Sequence, residues 1–307
     1  MNDITLAYNF EHTFKNLNWS PFMAKAFSPD KSQSPQVLSA IKKAAEIRLL
    51  TMRTMLGANY GHPASSLGLA DFFAAVYFGG GLRHNPANPM WRKRDRLFVS
   101  CGHISAVIYA TLAKAGYFDE SCLESYTKLG SPLTGHPSFL PDFGIENASG
   151  SLGQGISLAV GSALSLKNSS EHIFLLTSDG EQQEGQIWEA LLCVNKYKLS
   201  NLTIFIDCNG IQNTGTTDEI MPLGNIKDKY ASFGFNVIGC NGHNVEEIIN
   251  TCLYAKKSYR PVAVCLRTTP GKGVSFMENN PKWHGDLPAG KDAQQALYEL
   301  EQGLNAV

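Results

Sequence analysis

Ile173-Phe174-Leu175-Leu176-Thr177-Ser178-Asp179-Gly180 and Leu202-Thr203-Ile204-Phe205-Ile206-Asp207-Cys208-Asn209-Gly210 are two apolar runs, each closing on a polar residue and a glycine. The residues between them, from about Gln186 to Lys198, carry helical spacing around Trp188, Leu191 and Leu192. Run, helix and run predict a βαβ unit, whose crossover sets two parallel strands side by side with both carboxyl ends on one edge. Asp179 and Asn209, 30 positions apart, then meet at that edge. A carboxylate and an amide oxygen beside a glycine turn and a helix start are hard oxygen donors suited to Mg²⁺ and a diphosphate group.

Outward from this unit, apolar runs keep alternating with helical stretches. They are Leu97–Ser100, a helix over about Ser105–Ala115, Gly155–Leu166, Phe235–Gly239, a helix over Val245–Lys257, and Val262–Arg267. An earlier helix starts near Gln36, with Val37, Leu38, Ile41, Ala44, Ala45 and Leu49 on its stripe, and ends towards Gly57. Such alternation predicts an α/β fold, a parallel sheet covered by helices on both faces. Residues 1–35 mix aromatics with polar residues and close on Ser28-Pro29-Asp30-Lys31-Ser32-Gln33-Ser34-Pro35, which reads as an N-terminal arm and linker ahead of one domain at 36–307.

The chain has 307 residues, 43% hydrophobic and 17% charged, enough to bury a substantial core. A formal net charge of -1 offers no basic stripe for nucleic acid. Met1-Asn2-Asp3-Ile4-Thr5 is not followed by a long apolar segment, and no run approaches the roughly 20 apolar residues of a membrane helix, so a cytoplasmic location is expected. The seven cysteines are scattered without a C-x-x-C pair, which argues against a disulfide framework or a zinc site. Cys208, beside Asn209, reads as a small buried hydrophobe.

An Asp-Gly pair alone is an ordinary turn. Here it is joined by other blocks: Gly61-His62-Pro63-Ala64-Ser65-Ser66-Leu67-Gly68, Ser100-Cys101-Gly102-His103, Thr134-Gly135-His136-Pro137 and Gly150-Ser151-Leu152-Gly153-Gln154-Gly155. The set continues with Asp207-Cys208-Asn209-Gly210-Ile211, Gly271-Lys272-Gly273-Val274 and Trp283-His284-Gly285. His62, His103, His136 and His284 each adjoin a glycine, unlike core histidines, and several imidazoles together suit proton movement among hydroxyls and a carbonyl. The run at Gly150 follows no clear strand and has no acidic partner at the distance a dinucleotide fingerprint needs.

Over about residues 36–290 these blocks resemble the transketolase family, and specifically the N-terminal, diphosphate-binding subunit of a split two-subunit transketolase. The resemblance implies a thiamin diphosphate-binding fold. By it Asp179, Asn209 and the backbone oxygen of Ile211 ligate Mg²⁺, or another divalent cation such as Ca²⁺. Gly180 and His103 meet the diphosphate, and Gly150 and Leu152 lie against the cofactor rings. His62 and His136 serve the ketol end of the donor, His284 lies near the diphosphate and the reacting carbons, and Glu184 reaches towards a partner's catalytic glutamate. The residues themselves also allow Glu184 a plain helix-start role.

The activity implied is two-carbon ketol transfer from a ketose or ketose phosphate to an aldehyde. The glutamate that activates the aminopyrimidine belongs to a pyrimidine-binding domain absent from this sequence, so the resemblance implies a second, C-terminal subunit, activity only with it, and a heterotetramer. Ser178 stands where the family usually has Gly, Asn213-Thr214-Gly215 where it has an apolar residue and Asp-Gly, and Pro270 at a commonly basic position. These departures leave room for a related subunit using a 2-ketoacid donor in a specialised pathway. A non-catalytic scaffold paralogue is the reading from another class.

Overall fold

Val37, Ala40, Ala44, Ile47 and Met52 recur at helical spacing and are buried along one side of α1 (Pro35–Ala58). The computed structural model describes residues 34–307, so all of the arm at 1–35 except Ser34 and Pro35 lies outside the described residues. Ser34 caps α1 by accepting the Val37 N–H at 3.3 Å, Pro35 occupies the first turn, and left-handed Asn59 at φ 50° closes the helix. Two short helices follow, α2 (Pro63–Gly68) and α3 (Ala70–Phe78). Neither carries a periodic signal in the sequence: α3 is apolar and buried nearly all round, so no polar stripe reveals its period.

The remaining elements alternate: β1 (Arg96–Val99), α4 (Ser105–Lys114), α5 (Gly155–Ser165), β2 (Ile173–Ser178), α6 (Gly185–Tyr197) and β3 (Leu202–Cys208). A small hairpin, β4 (Ile211–Gln212) and β5 (Gly215–Thr216), precedes α7 (Thr217–Ile220) and α8 (Ile226–Ser232). Then come β6 (Asn236–Asn241), α9 (Val245–Ala255), β7 (Val262–Arg267) and α10 (Lys291–Asn305). The hairpin, α7, α8 and α10 also escaped the sequence reading. In α10 only Ala296 and Leu300 are buried, too thin a stripe to announce itself.

The main sheet has the order β1-β2-β3-β7-β6, and every neighbouring pair is parallel. Side chains of β2 and β3 alternate between its faces with the period of two that a strand imposes. Ile173, Leu175, Ile204 and Ile206 pack with Ile156 of α5, Ile187 and Leu191 of α6 and Tyr230 of α8. Phe205 turns the other way, its ring 4.9 Å from that of Phe72 on α3. Helices thus cover both faces, as expected, and the fully buried β2 and β3 are near-continuous apolar runs for that reason. The register sets Ser178 opposite Asp207, so the next residues of both strands emerge together at the carboxyl edge.

His172 leads into β2, buried, its Nε2 2.8 Å from Thr203 Oγ1 and its N–H donating to Asp95 Oδ1 at 3.0 Å. Burial lowers its imidazole from 6.5 to about 4. The folded chain therefore holds a neutral ring where the unfolded chain takes up a proton. Stability from this group is complete above pH 6.5 and falls as pH drops towards 4, by about 2 kcal/mol at pH 5. Urea unfolding at pH 7 and pH 5 checks this: His172→Asn is expected to lose less stability between the two than the wild type.

Candidate active site

The loops that leave the carboxyl edge of the sheet after β1, β2, β3 and β7 carry groups that meet. At the centre, Asp179 follows β2 with its N–H donating to Asp207 O at 3.0 Å, one more step of the parallel ladder. Its carboxylate accepts Gly180 N–H and Gly210 N–H, each at 2.7 Å. The second bond ties the Asn209 loop to Asp179. Asn209 is buried, its Oδ1 accepting the Ile211 N–H at 2.9 Å and its Nδ2 donating to Asp207 Oδ2 at 2.8 Å and to Ser65 Oγ at 3.3 Å. The three residues expected to hold the cation are therefore neighbours in one knot.

Two buried carboxylates face each other in that knot. Burial and then the charge of Asp207 raise Asp179 from 3.8 to about 7, and burial raises Asp207 to about 6 against the bonds from Thr268 and Asn209. Such a pair is short of positive charge. Each Asp179 oxygen and Asn209 Oδ1 already takes one N–H but keeps a second lone pair, so these oxygens fit a divalent cation that accepts mixed oxygen donors. Among the described residues no three His, Cys, Asp or Glu side chains group to hold a metal, so any cation here relies on amide and carbonyl oxygens as well.

A second knot braces the glycine loop. Glu181, fully buried in the turn after Asp179, accepts the Gly153 N–H at 2.6 Å, the Ser178 N–H at 3.3 Å and the Ser100 hydroxyl. Ser100 Oγ in turn accepts the Gly155 N–H at 3.0 Å, joining the ends of β1 and β2 to the start of α5. Burial pushes the Glu181 carboxyl up. Gly150, at φ 151°, has only the His136 side chain near its missing Cβ, and Leu152 is 36% exposed. Glycine at this positive φ lets the backbone take the turn beside His136 without strain. Glu184 is exposed ahead of α6 and packs beside Gly153, outside the histidine group.

The histidines come from four separate segments and converge. The His62 ring lies 5.4 Å from His103, 6.3 Å from His136 and 5.8 Å from His284, and His103 lies 5.5 Å from His284. Burial, then the neighbouring His284 and His136, lowers His62 from 6.5 to about 4; burial also pulls His103 and His284 down. Neutral rings can give or take a proton at either nitrogen. His62 Nδ1 and His284 Nδ1 are buried with no hydrogen-bond partner, and so is Ser149 Oγ near Gly102 and Gly150. Buried polar atoms without a protein partner are met by water, an ion or a ligand.

The other described histidines make structural contacts. His84 contacts Tyr77 O at 2.9 Å and Tyr117 OH at 3.2 Å, and His172 holds Thr203. His243 pairs Nδ1 with Asp71 at 2.8 Å and accepts the Thr269 N–H at 2.7 Å, steadying the loop after β7. Asp207, Glu181, Ser65 and Thr268 were not singled out from the sequence. The one usable signal was a carboxylate, Asp207, inside a buried apolar strand, since such a group must be paired. Ser178 fills its place by accepting the Glu181 N–H at 3.3 Å, and Asn213-Thr214 form the exposed tip of the β4–β5 hairpin. Cys208 is buried against Cys265, and that contact together with burial raises its thiol.

A parallel sheet with oxygen donors, a braced glycine loop and neutral imidazoles on its carboxyl edge defines a domain for a phosphorylated cofactor. A family profile described as "Transketolase, thiamine diphosphate binding domain" matches residues 39–305, and the chain belongs to the transketolase family. It is 37% identical over 272 residues to the 6-deoxy-6-sulfo-D-fructose transketolase subunit SqwG of Clostridium sp. (strain MSTE9), covering 88% of this chain and 98% of that one. To an apulose-4-phosphate transketolase subunit of Phocaeicola vulgatus it is 38% identical over 253 residues, 80% of this chain and 88% of the relative. The crystal structure of transketolase from Campylobacter jejuni superposes with a TM-score of 0.79 at 34% identity, over 86% of this chain and 43% of that one. The match is thus nearly end to end with separately named subunits, and under half of the solved enzyme.

Proposed function

We propose that this chain is the cofactor-holding subunit of a two-chain ketol transferase, using thiamin diphosphate and Mg²⁺ to move a two-carbon unit from a ketose to an aldehyde. The observation that carries this is the meeting, at one sheet edge, of the Asp179–Asn209 oxygen knot with four histidine rings. Bound thiamin diphosphate supplies the electron sink for the two-carbon fragment. Asp179, Asn209 and the Ile211 carbonyl would hold the cation, and Gly180 and His103 would face the diphosphate. Gly150 and Leu152 would keep water from the rings. His62, His136 and His284 would pass protons to and from the hydroxyls and carbonyl of the substrate.

The domain at 36–307 would work with a C-terminal transketolase-like subunit that brings the pyrimidine-binding domain and its glutamate. Exposed Glu184 would reach towards the catalytic glutamate of that second chain, and a cytoplasmic heterotetramer is the assembly we expect. No helix among the described residues is long and apolar enough to cross a membrane. The relatives are named for a sulfo-sugar and a sugar phosphate, which favours a ketose with an anionic end as donor. A scaffold role fits poorly with a knot whose buried carboxylates are costly to keep without a cation.

Capture from native lysate should yield a second chain in equal amount, and the pair should transfer the unit from a ketose phosphate only with thiamin diphosphate and Mg²⁺ present. A co-purifying chain fully active without this one would overturn the proposal. Faster turnover of pyruvate than of any ketose phosphate would move it to the 2-ketoacid reading.

A further inference from the structure

The four residues Asn59-Tyr60-Gly61-His62 leave α1 along an unusual path. Asn59 has φ 50° and Gly61 φ 147°, and a Cβ on Gly61 would stand 2.5 Å from the Met55 side chain. Only a glycine takes that turn, so the backbone directions of Tyr60 and His62 are set together. The Tyr60 ring meets His62 edge-on at 6.3 Å and Tyr126 at 6.0 Å. Its far edge rests on Gly135, where a Cβ would lie 2.8 Å from the phenol oxygen. Gly135 is itself pinned, its carbonyl accepting from Ser105 Oγ at 2.7 Å, and the next residue is His136. Tyr60 is thereby clamped between two of the histidine-bearing segments.

Three tyrosines meet edge to face here, and their hydroxyls differ. Tyr126 OH pairs with Ser105 Oγ at 2.7 Å, and Tyr109 OH donates to Thr134 O at 2.9 Å. The hydroxyl of Tyr60, a residue 36% exposed, makes no hydrogen bond within the described residues. A ring held by its packing beside His62 and Gly135, with no partner for its hydroxyl among the described residues, presents a hydrogen-bonding group at little further cost in side-chain entropy.

We infer that Tyr60 is a specificity-determining residue of the donor site, its phenol hydrogen-bonding a hydroxyl of a polyhydroxylated ketose whose reacting end lies among His62 and His136. This rests on the ketol-transfer reading above. In the assembled two-chain enzyme, with fructose 6-phosphate and sedoheptulose 7-phosphate as probes, Tyr60→Phe keeps the ring and removes only the hydroxyl. KM for the better donor should rise about five- to tenfold with a smaller change in kcat, while thiamin diphosphate binding in Mg²⁺ stays at the wild-type level. Tyr60→Ala should raise KM at least as much and also lower the melting temperature, because the packing on Gly135 and Tyr126 is lost. An unchanged KM in Tyr60→Phe would overturn the inference and leave ketol transfer standing, since a purely structural ring does not need its hydroxyl. A wild-type pair that fails to bind thiamin diphosphate with or without Mg²⁺ and turns over neither probe would overturn both.

Discussion

Asp179→Ala is expected to abolish Mg²⁺-dependent binding of thiamin diphosphate to the assembled enzyme, with Kd rising on the order of a hundredfold or more, since even the loss of an outer partner of a metal ligand costs ~10–100-fold. Two consequences for the fold oppose each other. Removing the side chain leaves the Gly180 and Gly210 N–H groups without their acceptor, which costs about 1–3 kcal/mol each where water cannot replace it. It also removes a buried carboxyl that burial and Asp207 raise to about 7, a relief of similar size. The variant should therefore stay folded, so that lost binding reports on the cation and not on unfolding. Isothermal titration with thiamin diphosphate at fixed Mg²⁺, beside a thermal melt, reads both quantities. Asp179→Asn, of nearly the same shape, separates charge from packing and should also bind poorly. Binding that persists in both variants would remove Asp179 from the cation site.

Glu181→Ala is expected to be the most damaging single change to the edge itself. Glu181 is fully buried and takes hydrogen bonds from Gly153, Ser178 and Ser100. Without it three donors lose their partner in a space too buried for water to serve freely, a loss of about 3–5 kcal/mol. Against total stabilities of about 5–15 kcal/mol this is a large fraction. The loop from Gly150 to Gly155 should loosen as well, so cofactor binding should weaken even at temperatures where the chain remains folded. Chemical unfolding of Glu181→Ala and of Ser100→Ala compares the whole knot with one of its strands. The serine variant should cost less, because Gly153 and Ser178 keep their acceptor. A Glu181→Ala protein as stable as the wild type would show that the knot braces nothing.

The two loops at the heart of the candidate site were readable because their signals are local. Ile173–Ser178 and Leu202–Cys208 are buried on both faces, which writes them as continuous apolar runs, and each must end where a polar residue and a glycine can leave the sheet. Once the strands are parallel neighbours, Asp179 and Asn209 have to emerge side by side. The same reasoning recovered α1, α5, α6, α9 and β7 to within a few residues. It failed for α3, where burial nearly all round erases the 3.6-residue period, and for α10, whose apolar stripe is narrow. Residue types and spacings therefore carried the fold class, the sheet edge and the meeting there of Asp179 with the Asn209 loop.

What waited for the tertiary structure is everything made by segments far apart in the chain. Glu181 reaching Ser100 and Gly153, Asp207 paired with Thr268 and Asn209, and the ring contacts from His62 to His136 and His284 depend on which loops the strand order brings together. Nothing in the local pattern around Glu181 distinguishes it from exposed Glu184 three positions on; burial alone does so. Periodicity and turn chemistry act over a few residues and survive in the linear sequence. Burial, desolvation and charge pairing act through space, and only the packed sheet edge decides them.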